Sequence, residues 1–196
     1  SVTRDVFHGD IGLNQWQTTF FRPDKSTWQN PAQGGGFAYG QMSHCLALMF
    51  FLTGLSPETV SAQTFGLDAV DLANAGAIKL SNGAVASISG AAAMPQGHKG
   101  MMRLFIAGSE GMLTAEFDRD FCEIRRNDGG IERLDLNAGD WTYNCRGPVN
   151  ALVDLALGRG ANLSPGHIGA ETTATIAAML ASARANGAPQ RVLAGV

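Results

Sequence analysis

The chain has 196 residues, which fits one domain, residues 1–196, able to bury roughly 70% of its unfolded surface. Net charge is −3, charged residues make up 16%, and no Lys/Arg cluster occurs, which argues against nucleic acid or an anionic membrane as partner. No apolar run approaches the ~20 residues of a membrane span, and three widely spaced cysteines (Cys45, Cys122, Cys145) point to reduced thiols in the cytoplasm rather than a disulfide frame.

The first ten residues carry no cap or strand signal, and a start at Ser1 without methionine fits a processed or excised fragment. Leu13–Arg22, rich in aromatic residues and Thr, reads as a strand. A polar loop with Trp28 and Pro31 leads to Gly34-Gly35-Gly36, and Phe37–Thr53 reads as a helix stopped by Gly54. Val60–Gly66 reads as a strand, while Asp68–Ala75 is ambiguous. A meander follows. Ala77–Leu80 and Ala84–Ser89 flank the hairpin dipeptide Asn82-Gly83. Met101–Ala107 and Met112–Phe117 flank Gly108–Gly111, and Phe121–Arg126 and Ile131–Leu136 flank Asn127–Gly130. Helices return at Pro148–Leu157 and from Ser164-Pro165 to about Ala185, with Ser164 as cap and Gly187 beyond the end. Arg191–Leu193 suits a short edge strand. This order predicts an α+β two-layer domain, a mainly antiparallel open sheet with helices on one face. The uncovered face is then available to a partner.

The glycine loop opening a helix is the most suggestive feature, since free backbone N–H groups at such a start can hold a ligand. Yet Gly34-Gly35-Gly36 lacks the G-x-G-x-x-G spacing, and no strand within a βαβ unit precedes it, so a dinucleotide site is not expected here. The four histidines are scattered and define no metal site. His44 shares a helix face with Gly40, which leaves room for a ligand beside the imidazole. An imidazole suits proton transfer from a hydroxyl. The alternative is a core histidine held by a hydrogen bond. Gln41, Arg22 and Trp28 are the other candidate ligand contacts, Trp28 as a platform for a sugar ring. Cys45, adjacent to His44, points away from it on a helix and forms no nucleophile pair with it.

Gly34-Gly35-Gly36 followed eight positions later by His44, in an apolar helix ending Leu52-Thr53-Gly54, resembles the C-terminal domain of Gfo/Idh/MocA-type oxidoreductases. So do Lys79–Ala84 as the central hairpin, Ile106–Leu113 as a strand turn, and Pro148–Asp154 and Ser164–Ala183 as the final helices. The resemblance runs from about Gly12. It implies an N-terminal Rossmann domain, absent here, that binds NAD or NADP and supplies a catalytic lysine. It implies a sugar or polyol substrate on this domain, with Gly36, Gly40 and Gln41 near it, and a homo-oligomer through the open sheet face. It carries His44 onto the family's catalytic histidine. Many members carry aspartates where this chain has Gly40 and Ala47. A non-catalytic ligand-sensing or assembly module of the same fold is the alternative, and no catalysis is expected of this chain alone.

Overall fold

The computed structural model describes residues 6–14, 30–67, 70–92, 101–135 and 146–193. Nine strands form one sheet: β1 (Val6–Asn14), β2 (Pro57–Leu67), β3 (Val70–Leu80), β4 (Val85–Ala91), β5 (Met101–Gly108), β6 (Gly111–Glu116), β7 (Phe121–Arg126), β8 (Ile131–Asp135) and β9 (Gln190–Arg191). Their order is β8-β7-β6-β5-β1-β4-β3-β2-β9. Two antiparallel meanders thus flank β1, which pairs parallel to β4 and antiparallel to β5. Among the described residues three α-helices accompany it: α1 (Ser43–Thr53), α2 (Arg146–Ala156) and α3 (Gly166–Arg184). This is the expected α+β architecture with a mainly antiparallel open sheet.

The turns follow local chemistry. Gly83 takes φ 86° between β3 and β4, and Ala84 N–H donates to Asn82 Oδ1 at 2.9 Å. Gly54 ends α1 at φ 65°, with its N–H donating to Phe50 O. The start of α3 differs from expectation by one position: the chain is still extended at Pro165, and the Ser164 side chain does not cap the helix.

One sheet face is buried under α1 and α3. Ile11, Ile78, Leu80, Ile88, Leu104 and Ile106 of the sheet meet Leu46, Met49 and Phe50 of α1 and Ile176 and Met179 of α3. Alternation along each strand puts these residues on one side. Ser182 on α3 accepts a hydrogen bond from Ala62 N–H of β2 at 2.9 Å, tying helix to sheet through a buried polar contact. The first of the two late helices departs from expectation. No residue of α2 is buried, and Val149, Leu152 and Val153 are exposed, so α2 adds nothing to the layer over the sheet.

The first strand begins earlier than expected. Ser1–Asp10 showed no strand signal, yet β1 starts at Val6. Gly9 weakens the local strand pattern, although a Cβ there would meet only ordinary contacts, the nearest at 3.6 Å from Met49 Sδ. Only Leu13 and Asn14 of the predicted strand Leu13–Arg22 fall in β1, and residues 15–22 lie outside the described residues. The ambiguous Asp68–Ala75 contains the start of β3, where buried Asp71 and Asn74 and a register shift between Phe65 and Gly66 of β2 break simple alternation.

The opposite face is open. Phe65, Val85, Met112 and Ile131 are exposed there, among small residues such as Ala75, Ala77 and Ser89. Glu123 of β7 is the exception, at 2% exposure. It accepts from Arg133 Nε at 2.8 Å and Arg125 Nε at 2.5 Å. Those hydrogen bonds, Arg133's first, hold its carboxyl below the usual carboxylate range. A depressed folded value means that this stabilisation is complete above the unfolded value, about 4.5, and fades as pH falls through the lower folded one. Glu123→Gln should therefore lower Tm at pH 7 and lose that effect at the acid end of a Tm-versus-pH series. Both arginines are largely exposed, so the shift should be modest.

Among the described residues no helix is long and apolar enough to cross a membrane, and no group of three or more His, Cys, Asp and Glu is placed to hold a metal.

Candidate functional site

The predicted helix Phe37–Thr53 is continuous, but it does not begin as an α-helix. Ala38–Met42 form a π-helical turn, in which Ser43 N–H reaches back to Ala38 O. Such turns are rare and frequently mark functional sites. This one lies directly before His44.

His44 is exposed and makes no hydrogen bond among the described residues. It is therefore not a core histidine. Gly40 and Gln41 are half-buried in the π turn one turn earlier. No carboxylate stands at position 40 or 47, so on its own helix the imidazole has no acid neighbour one turn away. The helix is apolar almost all round, yet its His44 face is not covered. Ala47, Leu48 and Phe51, at three, four and seven positions from His44, share that face and line a groove of about 450 Å³ closed by Leu163, Pro165 and Ile168. Phe51 is 46% exposed. The apolar run alone suggested uniform burial and hid this groove.

The helix start is already engaged. Asp71 of β3 is 9% exposed, and its Oδ2 accepts Ala38 N–H at 2.7 Å and Asn74 Nδ2 at 2.6 Å. A carboxylate here satisfies an orphan donor and the positive end of the helix dipole. Gly36, at φ 110°, is buried against the same side chain, and a Cβ on it would fall 2.1 Å from Asp71 Oδ1. Gly36 thus fits the chain closely around Asp71. An anion already occupies the site that would receive a dinucleotide pyrophosphate, so these residues do not fit that cofactor. Asp71 escaped the sequence reading because it lies 33 residues from the amide it caps. Asp71 and Asn74, polar within the apolar stretch Val70–Ile78, are its only local signal.

Of the six candidates, the structure brings Gly40, Gln41 and His44 together on one helix and sets Gly36 behind its start. Arg22 and Trp28 lie outside the described residues.

Cys45 behaves as expected of a residue pointing away from His44: it is fully buried, and burial pushes its thiol up to about 12. Cys122 is also raised by burial. Treatment of the folded chain with iodoacetamide at pH 8 should leave Cys45 unmodified, and unfolding in urea should expose it. Mass mapping of the alkylated peptides reads this directly.

Residues 4–114 match the family model for the GFO/IDH/MocA C-terminal domain, which starts ahead of the sequence resemblance at about Gly12. No curated protein matches. Among solved structures, an oxidoreductase domain protein from Kribbella flavida is similar, with TM-score 0.78, 18% identity, 97% of this chain covered and 59% of that one. UDP-N-acetylglucosamine 3-dehydrogenase GnnA from Acidithiobacillus ferrooxidans is similar at TM-score 0.71 and 17% identity, over 93% of this chain and 55% of that one. A levoglucosan dehydrogenase in complex with NADH is similar at TM-score 0.72 and 16% identity, over 97% of this chain and 59% of that one. The chain thus spans little more than half the length of each.

Proposed function

The chain belongs to the GFO/IDH/MocA C-terminal domain family, and from that premise we propose that residues 1–196 form the substrate-binding and oligomerisation domain of an NAD(P)-dependent dehydrogenase. Its substrate is a sugar or polyol. The observation that carries this reading is His44, exposed and without a side-chain partner among the described residues, on the helix face whose next turns line an apolar groove. The dehydrogenase neighbours, one of them a sugar-nucleotide enzyme and one bound to NADH, support the substrate and cofactor class.

In this reading a ring nitrogen of His44 accepts the proton of the substrate hydroxyl as that carbon is oxidised. Gly40 and Gln41 shape the space beside the imidazole, Gly36 and Asp71 fix the helix that carries it, and Arg22 and Trp28 are further candidate contacts. Carbon oxidation also needs a hydride acceptor. Since these residues do not fit a dinucleotide, NAD or NADP belongs to a separate N-terminal Rossmann domain. Free Cys45 and Cys122 suit the reducing cytoplasm.

The open sheet face would form the homo-oligomer. Val85→Lys combined with Met112→Lys should then lower the mass seen by sedimentation, without a change in helix content by circular dichroism.

The functional test is turnover. A protein carrying this domain behind its Rossmann domain is assayed with sugars and polyols and both nicotinamide cofactors, beside its His44→Ala variant. Equal turnover by the variant rejects the role given to His44. The lack of an acid at Gly40 and Ala47 favours one other reading, a ligand-sensing module that binds without turnover. Binding of a polyol with no oxidation under either cofactor would support that reading instead.

A further inference from the structure

A second cleft, of about 480 Å³, is lined by the segment ahead of α1, the β2–β3 end and the last turns of α3 and shares no lining residue with the apolar groove. Its size falls in the range of small-molecule sites. We propose that this cleft is a binding site for a small hydroxy acid, separate from the His44 face.

The polar side chains decide the ligand class. Asp71 lines the cleft, but its Oδ2 is committed to Ala38 N–H and Asn74 Nδ2. Arg184, Tyr39 and Thr64 also line it, and none of their side chains makes a hydrogen bond or ion pair among the described residues. Asp71 is buried while Arg184 is exposed, so the charge open to a ligand is positive, and it comes with two hydroxyls. A guanidinium binds a planar carboxylate through paired N–H donors. Tyr39 and Thr64 then serve ligand hydroxyls, each as donor or acceptor. Ala177 and Leu180 supply an apolar wall along the carbon chain. A neutral polyol would leave Arg184 unanswered. A dinucleotide would bring more negative charge than one arginine can match.

Titration calorimetry with D-gluconate, and with D-sorbitol as the neutral counterpart, tests this on the chain itself. D-gluconate should bind, and D-sorbitol should bind at least about tenfold more weakly, the scale of one lost charge-assisted hydrogen bond. Arg184→Met should weaken D-gluconate about 10- to 100-fold, Thr64→Val should weaken it several-fold, and His44→Ala should leave it unchanged. Arg184 and Thr64 are exposed, so both variants keep the core intact. Absence of D-gluconate binding at millimolar concentration, an Arg184→Met affinity equal to the parent's, or loss of binding in His44→Ala would each overturn the proposal. Because His44→Ala is the silent variant here and the damaging one in turnover, failure of this proposal is distinguishable from failure of the dehydrogenase reading.

Discussion

Gly36→Ala is expected to destabilise the chain by about 4 kcal/mol, through two separate causes. At φ 110° an alanine occupies backbone space that side chains rarely adopt, at roughly 1–3 kcal/mol. Its methyl would also stand 2.1 Å from Asp71 Oδ1. Asp71 cannot swing aside freely, because its other oxygen holds Ala38 N–H and Asn74 Nδ2. Overpacking of this kind costs roughly 1–3 kcal/mol more. For a chain of this length the total corresponds to a Tm loss of about 10 °C. A double-mutant cycle separates the causes. Asp71→Ala alone should cost about 2–4 kcal/mol, since it strands two buried donors. Asn74 also has little slack, as its Oδ1 has no partner among the described residues. With Asp71 removed, the methyl at position 36 meets no carboxylate and only the backbone strain remains. The double variant should then be more stable than the sum of the singles by about 1–3 kcal/mol. Strict additivity in urea unfolding would show that the carboxylate is not what excludes a side chain at position 36.

Contacts of that kind are not legible in the sequence. The hairpin at Asn82-Gly83, the turn at Gly108–Gly111 and the helix stop at Gly54 were legible because each is decided by residues within a few positions. The bond from Ala38 to Asp71 is not local, and nothing near Asp71 announces a helix start as its partner. The same holds for β1, whose first residues read poorly as a strand until the distant strands β4 and β5 are seen on either side of it. His44 was legible as a candidate from its spacing to Gly36 and Gly40. Its exposure was not, because an apolar helix signals burial and cannot say which side is left open. Nor could the chain's periodicity reveal that α2 buries none of its residues.

His44→Ala should lower turnover by about 10²–10⁴-fold in the dehydrogenase of which this chain is the proposed substrate domain. Fold loss should not confuse the result. His44 is exposed and makes no hydrogen bond among the described residues, and alanine suits a helix, so Tm should stay within about 2 °C of the parent. A proton-transfer role makes a narrower demand than a binding role. The fall should appear in kcat and kcat/KM alike, because the proton moves only as the transition state forms. Added imidazole should restore part of the rate in His44→Ala, since the truncated side chain leaves space on an open helix face beside Gly40. Gln41→Ala, one residue along from Gly40, should raise KM with a smaller change in kcat and should not respond to imidazole. If His44→Ala raises KM alone and imidazole does nothing, His44 is a substrate contact and the proton leaves by another route. With no acid at position 40 or 47 to share the load, the parent enzyme should depend on this single imidazole, so the rate loss should lie toward the upper end of that range.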